Sequence, residues 1–138
     1  MVTGGRFELG TASSPADAGA LDTPHVVKVV CADDGRALYF SRAPIPFLRD
    51  NADAAERDGL IRQHIGIYAY TAQALARWVA LPPHALERIE RLEQLRPLAA
   101  GMSMGVAAVP EPMPGGIDTE DDLRRANERW PDLILERD

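Results

Sequence analysis

Short apolar runs alternate along this chain with segments of helical period, which predicts a layered α/β fold. Residues 26–30 and 37–40 are apolar or β-branched runs of strand length, separated by the turn signal Asp-Asp-Gly at residues 33–35. Two strands joined by such a turn predict a hairpin, and therefore a mixed rather than a wholly parallel sheet. Residues 65–70 predict a buried strand, and residues 104–109 predict another short strand.

Helical periodicity predicts three helices. The first covers residues 72–80, and Leu or Ile at every third position predicts a second helix of about four turns, which Pro97 should end or kink. Thr119 with Asp122 indicates the capped start of a third helix, which Pro131 should end. The positions expected to face inward on the first two helices are Leu75, Trp78, Val79, Leu86, Ile89, Leu92 and Leu95.

The first 24 residues predict little regular structure. Phe7 and Leu9 indicate a short strand at most, and residues 11–15, Thr-Ala-Ser-Ser-Pro, are typical of a turn or loop. We therefore divide the chain into an N-terminal segment with few structural signals (1–24), a main unit (25–130) and a C-terminal tail (131–138).

Composition and charge narrow the classes of function. A length of 138 residues fits one domain, and a net charge of −6 argues against a nucleic-acid surface, although a local basic pocket or a metal can still bind phosphates. The single cysteine, Cys31, fits a reducing compartment. No apolar run reaches membrane-spanning length and no signal peptide is recognisable, so we expect a cytoplasmic protein without a membrane segment.

No catalytic signature in this sequence is sufficient by itself. We find no Gly-rich phosphate loop, no pair of metal-binding cysteines and no Ser-His-Asp motif. Hydrophobic pattern and composition alone predict an α/β domain of unspecified function.

Four segments, taken in their order along the chain, indicate a more specific function. Residues 41–46 fit the pattern S-R-x-x-I-P, residues 64–70 fit H-x-G-I-Y-x-Y, and residues 86–96 fit L-E-x-x-E-x-L-E-Q-L-R. Residues 116–123 resemble G-V-D-T-x-x-D-L, with Ile117 in place of the valine. Together with the strand at residues 26–30, they resemble the second half of 3-deoxy-manno-octulosonate (Kdo) cytidylyltransferases. The resemblance covers about residues 22–127.

The resemblance implies both a fold and a reaction. The fold would be part of a Rossmann-like, three-layer nucleotide-diphospho-sugar transferase domain with a mixed sheet. The reaction would be the transfer of CMP from CTP to the anomeric hydroxyl of Kdo, with Mg²⁺, for lipopolysaccharide synthesis in a cytoplasmic homodimer. Residues 25–130 would then be the half that binds the sugar acid and a metal.

Three candidate ligand-binding residues come from the first two motifs. The resemblance implies that the planar guanidinium of Arg42 contacts the sugar acid, whereas residue type alone favours a surface ion pair. His64 and Tyr68 are four residues apart on the predicted strand, so both should point to one face, where they can hydrogen-bond hydroxyls or a carboxylate. The alternative is ordinary packing of both rings.

Four further candidates come from the last two motifs. Glu90 and Gln94 are four residues apart on the predicted second helix, so they should meet on one face as a clamp for a polyol, with Glu93 beside them. The alternative is a solvated helix face. The resemblance implies that Asp118 is a ligand of Mg²⁺, and the alternative is an aspartate favoured by the start of a helix.

Two motifs of the family do not occur in this sequence: the P-A-R-x-x-S-x-R-L phosphate loop and the Q-G-D-E-P metal segment. We therefore expect the 138-residue chain to be inactive by itself and keep three hypotheses. It is the sugar-binding half of a Kdo cytidylyltransferase, or a non-catalytic half-domain for binding or dimerisation, or part of a cytidylyltransferase for another acidic sugar such as a sialic acid. Residues 92–96, Leu-Glu-Gln-Leu-Arg, favour Kdo.

Overall fold

A computed structural model describes residues 5–16, 18–112, 117 and 119–135. Five strands form one mixed sheet: β1 (Leu9–Pro15), β2 (Lys28–Cys31), β3 (Ala37–Ser41), β4 (Arg62–Tyr70) and β5 (Met104–Ala108). The helices are α1 (Ala18–Leu21), α2 (Ala54–Leu60), α3 (Ala72–Ala80), α4 (Ala85–Glu90), α5 (Leu95–Ala99) and α6 (Glu120–Leu135), and a 3₁₀ turn at Asn51–Asp53 precedes α2.

The strand order is β3-β2-β4-β1-β5, with β1 and β5 parallel and the other neighbours antiparallel. The predicted α/β class and mixed sheet are therefore confirmed, as is the β2–β3 hairpin. Gly35 lies in the hairpin turn at φ 84°, a conformation that favours glycine. The tip of the hairpin also reaches β5, where the Val106 N–H donates to the Gly35 carbonyl at 2.8 Å.

The segment expected to be a loop near the start of the chain is a strand. β1 pairs with β4 on one side and β5 on the other, and its alternate residues Leu9, Thr11 and Ser13 are buried. Hydrogen bonds from two neighbouring strands satisfy its backbone, and this tertiary pairing overrides the weak strand propensity of Ser and Ala. The expectation of a turn or loop at residues 11–15 is wrong for this reason.

β4 is longer and more exposed than expected. It begins at Arg62, and Ile67 and Tyr70 are 66% and 45% exposed, so the prediction of a buried strand is wrong. Its register against β1 changes from Thr11↔Tyr68 to Ala12↔Ile65, which leaves two extra residues, Gly66 and Ile67, in a β-bulge. The outward side chain of Ile67 belongs to this bulge.

The predicted second helix is two helices. α4 ends at Glu90 because Arg91 adopts the left-handed conformation (φ 55°, ψ 47°), which cannot continue a right-handed helix. α5 then contains Pro97 and ends at Ala99, so the break lies before the proline. Leu92 and Leu95 are buried as expected, but Ile89, next to the end of α4, is 79% exposed.

Two other helices differ in detail. α3 has the predicted bounds, but Ala74 is its buried residue and Val79 is 71% exposed, so the inward expectation for Val79 is wrong. α6 continues past Pro131 to Leu135. A proline inside a helix frees the carbonyl four residues earlier, and here that is the carbonyl of the exposed Asn127, which water can reach.

One hydrophobic core joins side chains from four strands to α3 and α5. Its buried members are Leu9, Val29, Ala37, Phe40, Ala74, Leu92, Leu95, Met102 and Met104. Among the described residues, no helix has the length and apolar character needed to cross a membrane.

Candidate functional site

The end of β3 is tied to the end of α4 by one carboxylate. Ser41 Oγ donates to Glu90 Oε1 at 2.7 Å, and the Arg42 backbone N–H donates to Glu90 Oε2 at 3.0 Å. Both oxygens of Glu90 therefore hold the protein chain together. A role for Glu90 in binding a polyol stays a prediction, and it would have to share these oxygens.

The guanidinium of Arg42 donates to three backbone carbonyls in two other segments of the chain. Nε donates to the Glu90 carbonyl at 2.7 Å, Nη1 to the Pro24 carbonyl at 2.9 Å, and Nη2 to the Arg91 carbonyl at 3.2 Å. Three of the five N–H groups of this side chain are engaged in this way. Arg42 directly follows the end of β3, as predicted. Its contact with a sugar acid stays a prediction.

Lys28, which the sequence analysis did not single out, lies fully buried beside Arg42. Its Nζ donates to the carbonyls of Thr23 (3.1 Å), Val26 (2.6 Å) and Arg42 (2.6 Å). Burial, and next the charge of Arg42, lower the pKa of this ammonium. The sequence contained one signal that could have identified Lys28: it is the only lysine of the sequence, and it lies within a run of valines.

His64 lies on β4 among aromatic rings. Its ring meets the edge of Phe40 at 4.9 Å between centroids and lies 5.6 Å from the ring of Tyr68. Nε2 is 2.8 Å from Thr11 Oγ1. Burial lowers the pKa of His64 to about 4, and the charge of Glu93 only partly opposes this shift, so the imidazole is neutral near pH 7.

Tyr68 connects β4 to the loop between α4 and α5. Its hydroxyl donates to Glu93 Oε1 at 3.2 Å, and its ring packs edge-on against Trp78 at 5.7 Å between centroids. Burial, followed by the charge and the hydrogen bond of Glu93, raises the pKa of this phenol. Tyr68 therefore remains a hydrogen-bond donor. His64 and Tyr68 lie side by side, in agreement with the prediction that they share a face, and Tyr68 contacts Glu93, which was expected beside Glu90 and Gln94.

Gln94 is 1% exposed, and its Oε1 is a buried acceptor without a hydrogen-bond partner in the described structure. The expectation that Glu90 and Gln94 meet on one helix face is wrong, because the left-handed Arg91 separates α4 from α5. Gln94 lies instead directly before α5, next to Glu93. A buried acceptor left without a donor costs free energy in the unliganded protein, so this amide is a strong candidate for contact with a ligand.

The predicted metal ligand Asp118 lies outside the described residues. Next to it, Thr119 and Asp122 form the predicted capping box, with the Thr119 N–H donating to Asp122 Oδ2 at 2.9 Å and the Asp122 N–H donating to Thr119 Oγ1 at 3.2 Å. Asp122 also pairs with Arg125. Within the part of the chain that the structure describes, no three His, Cys, Asp or Glu side chains cluster as a metal site.

Two open cavities border the candidate residues. A cavity of about 860 Å³ lies between the β2–β4 region and α6, and His64, Val27 and Asp122 are among its lining residues. A second, of about 630 Å³, is lined by Thr11 and Tyr68 among others. Of the predicted sugar-site residues, His64 therefore borders the first cavity and Tyr68 the second. Arg42, Glu90, Glu93 and Gln94 are not among the lining residues of either cavity.

Comparison with known proteins places this arrangement in a family. A family model described as cytidylyltransferase matches residues 10–104. A 3-deoxy-manno-octulosonate cytidylyltransferase of Gemmatimonas aurantiaca is 63% identical over 130 residues, which cover 94% of this chain and 50% of that protein. One of Xanthomonas euvesicatoria pv. vesicatoria is 52% identical over 127 residues, covering 88% of this chain and 49% of that protein.

A solved structure of a CMP:2-keto-3-deoxy-manno-octonic acid synthetase complexed with CTP has the same fold over this region. Its TM-score is 0.83 at 33% identity, and the alignment covers 96% of this chain and 53% of that one. The chain thus spans about half the length of the relatives it matches. Because the family model covers more than half of the 138 residues, and the fold agrees, the chain belongs to the cytidylyltransferase family.

Proposed function

We propose that this chain supplies the sugar-acid-binding side of an enzyme that transfers CMP from CTP to Kdo. The observation that carries the proposal is the buried, unpartnered Oε1 of Gln94, next to the Glu93 carboxylate that accepts from Tyr68. Kdo carries several hydroxyls and a carboxylate, and it therefore needs both donors and acceptors at its site. An amide, a phenol, a carboxylate and a neutral imidazole provide both.

The named activity of the relatives supports the choice of substrates. Two of them are 3-deoxy-manno-octulosonate cytidylyltransferases, and the solved relative is in complex with CTP. In the proposed reaction, the anomeric hydroxyl oxygen of Kdo forms a bond to the α-phosphorus of CTP as the bond to pyrophosphate breaks. His64, Tyr68, Glu93 and Gln94 would hold the sugar in position for this attack.

Magnesium is part of the proposal through Asp118. Of the carboxylates that follow it in the sequence, Asp122 is engaged elsewhere, since it accepts from Thr119 and pairs with Arg125. One protein carboxylate fits Mg²⁺, which retains waters and substrate phosphates as its other ligands. When bound, the ion would offset charge on the phosphates during the transfer.

We also propose that the enzyme is a cytoplasmic homodimer. Support for a compartment that keeps thiols reduced comes from the one free cysteine, Cys31. Support for self-association comes from large apolar side chains that are more than half exposed, among them Ile67 and Leu38 on the sheet.

Replacing Gln94 by Met tests the proposed sugar site. Met has nearly the same length but removes the unpartnered acceptor, so we expect the free energy of unfolding to stay equal or rise by about 1 kcal/mol. Affinity for Kdo, measured by isothermal titration calorimetry, should fall roughly tenfold. The matched control is Gln73→Met on the exposed surface of α3, which should change neither quantity.

The outcomes separate the hypotheses. A Gln94→Met protein that loses stability and binds Kdo normally would make Gln94 a structural residue and remove the main support for the proposal. Competition between Kdo and a sialic acid decides between the two acidic sugars. A chain that binds neither sugar would favour a non-catalytic module.

A further inference from the structure

Thr11 on β1 was not predicted to be a site residue, but its side chain directly contacts His64. Its Oγ1 lies 2.8 Å from His64 Nε2, 2.8 Å from the Ile67 carbonyl and 3.2 Å from the Ile65 carbonyl. The Ile67 carbonyl can only accept, and two oxygens 2.8 Å apart repel each other unless a hydrogen lies between them, so this contact takes the single hydroxyl hydrogen of Thr11. The remaining neighbour, Nε2 of His64, must then provide its own hydrogen to the Thr11 oxygen.

The bulge in β4 makes this contact possible. Two extra residues of β4, Gly66 and Ile67, lie between the pairs Thr11↔Tyr68 and Ala12↔Ile65. The Thr11 hydroxyl reaches carbonyls at both ends of this irregular segment and also the ring of His64. One side chain thus holds the bulge and the imidazole in a fixed relation, as bulges near functional sites commonly require.

A neutral imidazole with its hydrogen on Nε2 has a lone pair on Nδ1. Nδ1 lies on the other side of the ring from Nε2, so it faces away from Thr11, and among the described residues it has no hydrogen-bond partner. His64 lines the cavity of about 860 Å³. The low pKa of His64, which burial causes, agrees with a neutral ring.

We propose that Thr11 is a positioning residue that holds His64 as the Nε2–H tautomer, so that Nδ1 accepts a hydrogen bond from a hydroxyl of the sugar. The tautomer stands on the structure of this chain alone, whereas the acceptor role rests on the proposed function. The charged and titratable groups near the ring are Tyr68 and Glu93 and, lining the same cavity, His25, Asp121, Asp122, Arg125, Glu128 and Arg129. A neutral His64 does not pair with the sugar carboxylate as a cation.

Long-range ¹H–¹⁵N correlation spectra of the histidine-labelled chain at pH 7 test the tautomer directly. The His64 signals are assigned by their loss in His64→Gln. We expect the Nε2–H tautomer in the unsubstituted chain and in Thr11→Ser, which keeps the hydroxyl. In Thr11→Val, which keeps the shape but cannot accept, we expect a mixture of tautomers.

Titration with Kdo tests the acceptor role on the same samples. Binding should shift His64 Nδ1 toward the position of a hydrogen-bonded acceptor. Thr11→Val should weaken the affinity roughly five- to tenfold, the value of about one neutral hydrogen bond, while Thr11→Ser should stay within about twofold. If Thr11→Val does not fold, the role of Thr11 is judged from the tautomer of His64 in the unsubstituted chain and in Thr11→Ser.

Each of the other possible results contradicts a specific part of the proposal. An Nδ1–H tautomer in the unsubstituted chain, or an unchanged tautomer in Thr11→Val, overturns the role of Thr11 whatever the sugar does. Kdo binding that leaves the Nδ1 signal unchanged overturns the acceptor role alone, and the proposed function stands. No Kdo binding at all overturns the proposed function and the acceptor role together, while the Thr11-dependent tautomer would still stand.

Discussion

Three polar side chains of this protein, Lys28, Arg42 and Thr11, act on the backbone. Lys28 donates to three carbonyls, Arg42 donates to three others, and the Thr11 hydroxyl lies within hydrogen-bond distance of two carbonyls of the β4 bulge. These donors satisfy irregular segments that no sheet or helix ladder satisfies, and an unpaired buried carbonyl would be costly. The same residues thereby fix the strand from which His64 extends and the loop from which Glu93 and Gln94 extend.

The neutral state of His64 predicts a stability that depends on pH. Its pKa is about 4 in the folded chain and near 6.5 when unfolded, so between these values the unfolded chain binds more protons. Stability is therefore lost as pH falls from about 6.5 to about 4, by roughly 2–3 kcal/mol from this residue. Urea unfolding across this range should show a steeper loss for the unsubstituted chain than for His64→Gln.

His25→Gln is the matched control for this measurement, because His25 is an exposed histidine. It should retain the steep loss seen in the unsubstituted chain. Parallel pH curves for the unsubstituted chain and His64→Gln would show that His64 titrates alike in both states, contrary to the burial argument.

At the scale of elements, the break between α4 and α5 has the largest effect on the site. Had the helix continued, Glu90 and Gln94 would share a face. The left-handed Arg91 instead leaves the Glu90 carboxylate with Ser41 and Arg42, and starts a new helix after Gln94. One backbone conformation thus separates a residue that ties the fold together from a residue with an unused acceptor.

Arg91→Gly should stabilise the protein or leave it unchanged. Glycine adopts φ 55° without the strain that a Cβ causes, and the Arg91 carbonyl that accepts from Arg42 is kept, so we expect a gain of up to about 1 kcal/mol in the free energy of unfolding. Arg88→Gly, within α4, is the control and should cost about 0.5–1 kcal/mol. If urea denaturation showed that both variants lose the same free energy of unfolding, Arg91 would not be a strained left-handed position.

At the scale of the whole molecule, the sheet and its hairpin enclose one core but leave large apolar residues outside. Ile67 on β4 is 66% exposed and Leu38 on β3 is 51% exposed. Exposed apolar residues on a sheet favour association with another protein surface. The net charge of −6 should limit uncontrolled aggregation without preventing a well-matched contact.

The chain should self-associate through its sheet in a concentration-dependent way. Sedimentation velocity from micromolar to millimolar concentration should show a shift toward a dimer, and Ile67→Asp should weaken it by placing a charge on that surface. Val79→Asp on α3, at a similarly exposed apolar residue (71%), should leave the association unchanged. A monomer at every concentration would contradict both the dimer and the sheet as its contact surface.

Local sequence by itself determined the elements whose signals lie between near neighbours. The Asp-Gly turn specified the β2–β3 hairpin, periodicity specified the bounds of α3, and Thr119 with Asp122 specified the cap of α6. The motifs also identified the family and brought forward His64 with Tyr68 from one segment and Glu93 with Gln94 from another.

Only the tertiary structure decided the features that depend on distant partners. β1 is a strand because β4 and β5 flank it, and the Thr11–His64 contact joins residues 53 positions apart. The ties of Glu90 to Ser41 and Arg42 span 49 and 48 positions. Periodicity reports which face of an element is apolar, but it carries no information on which distant backbone group a polar side chain will reach, and here those distant groups set the geometry of the site.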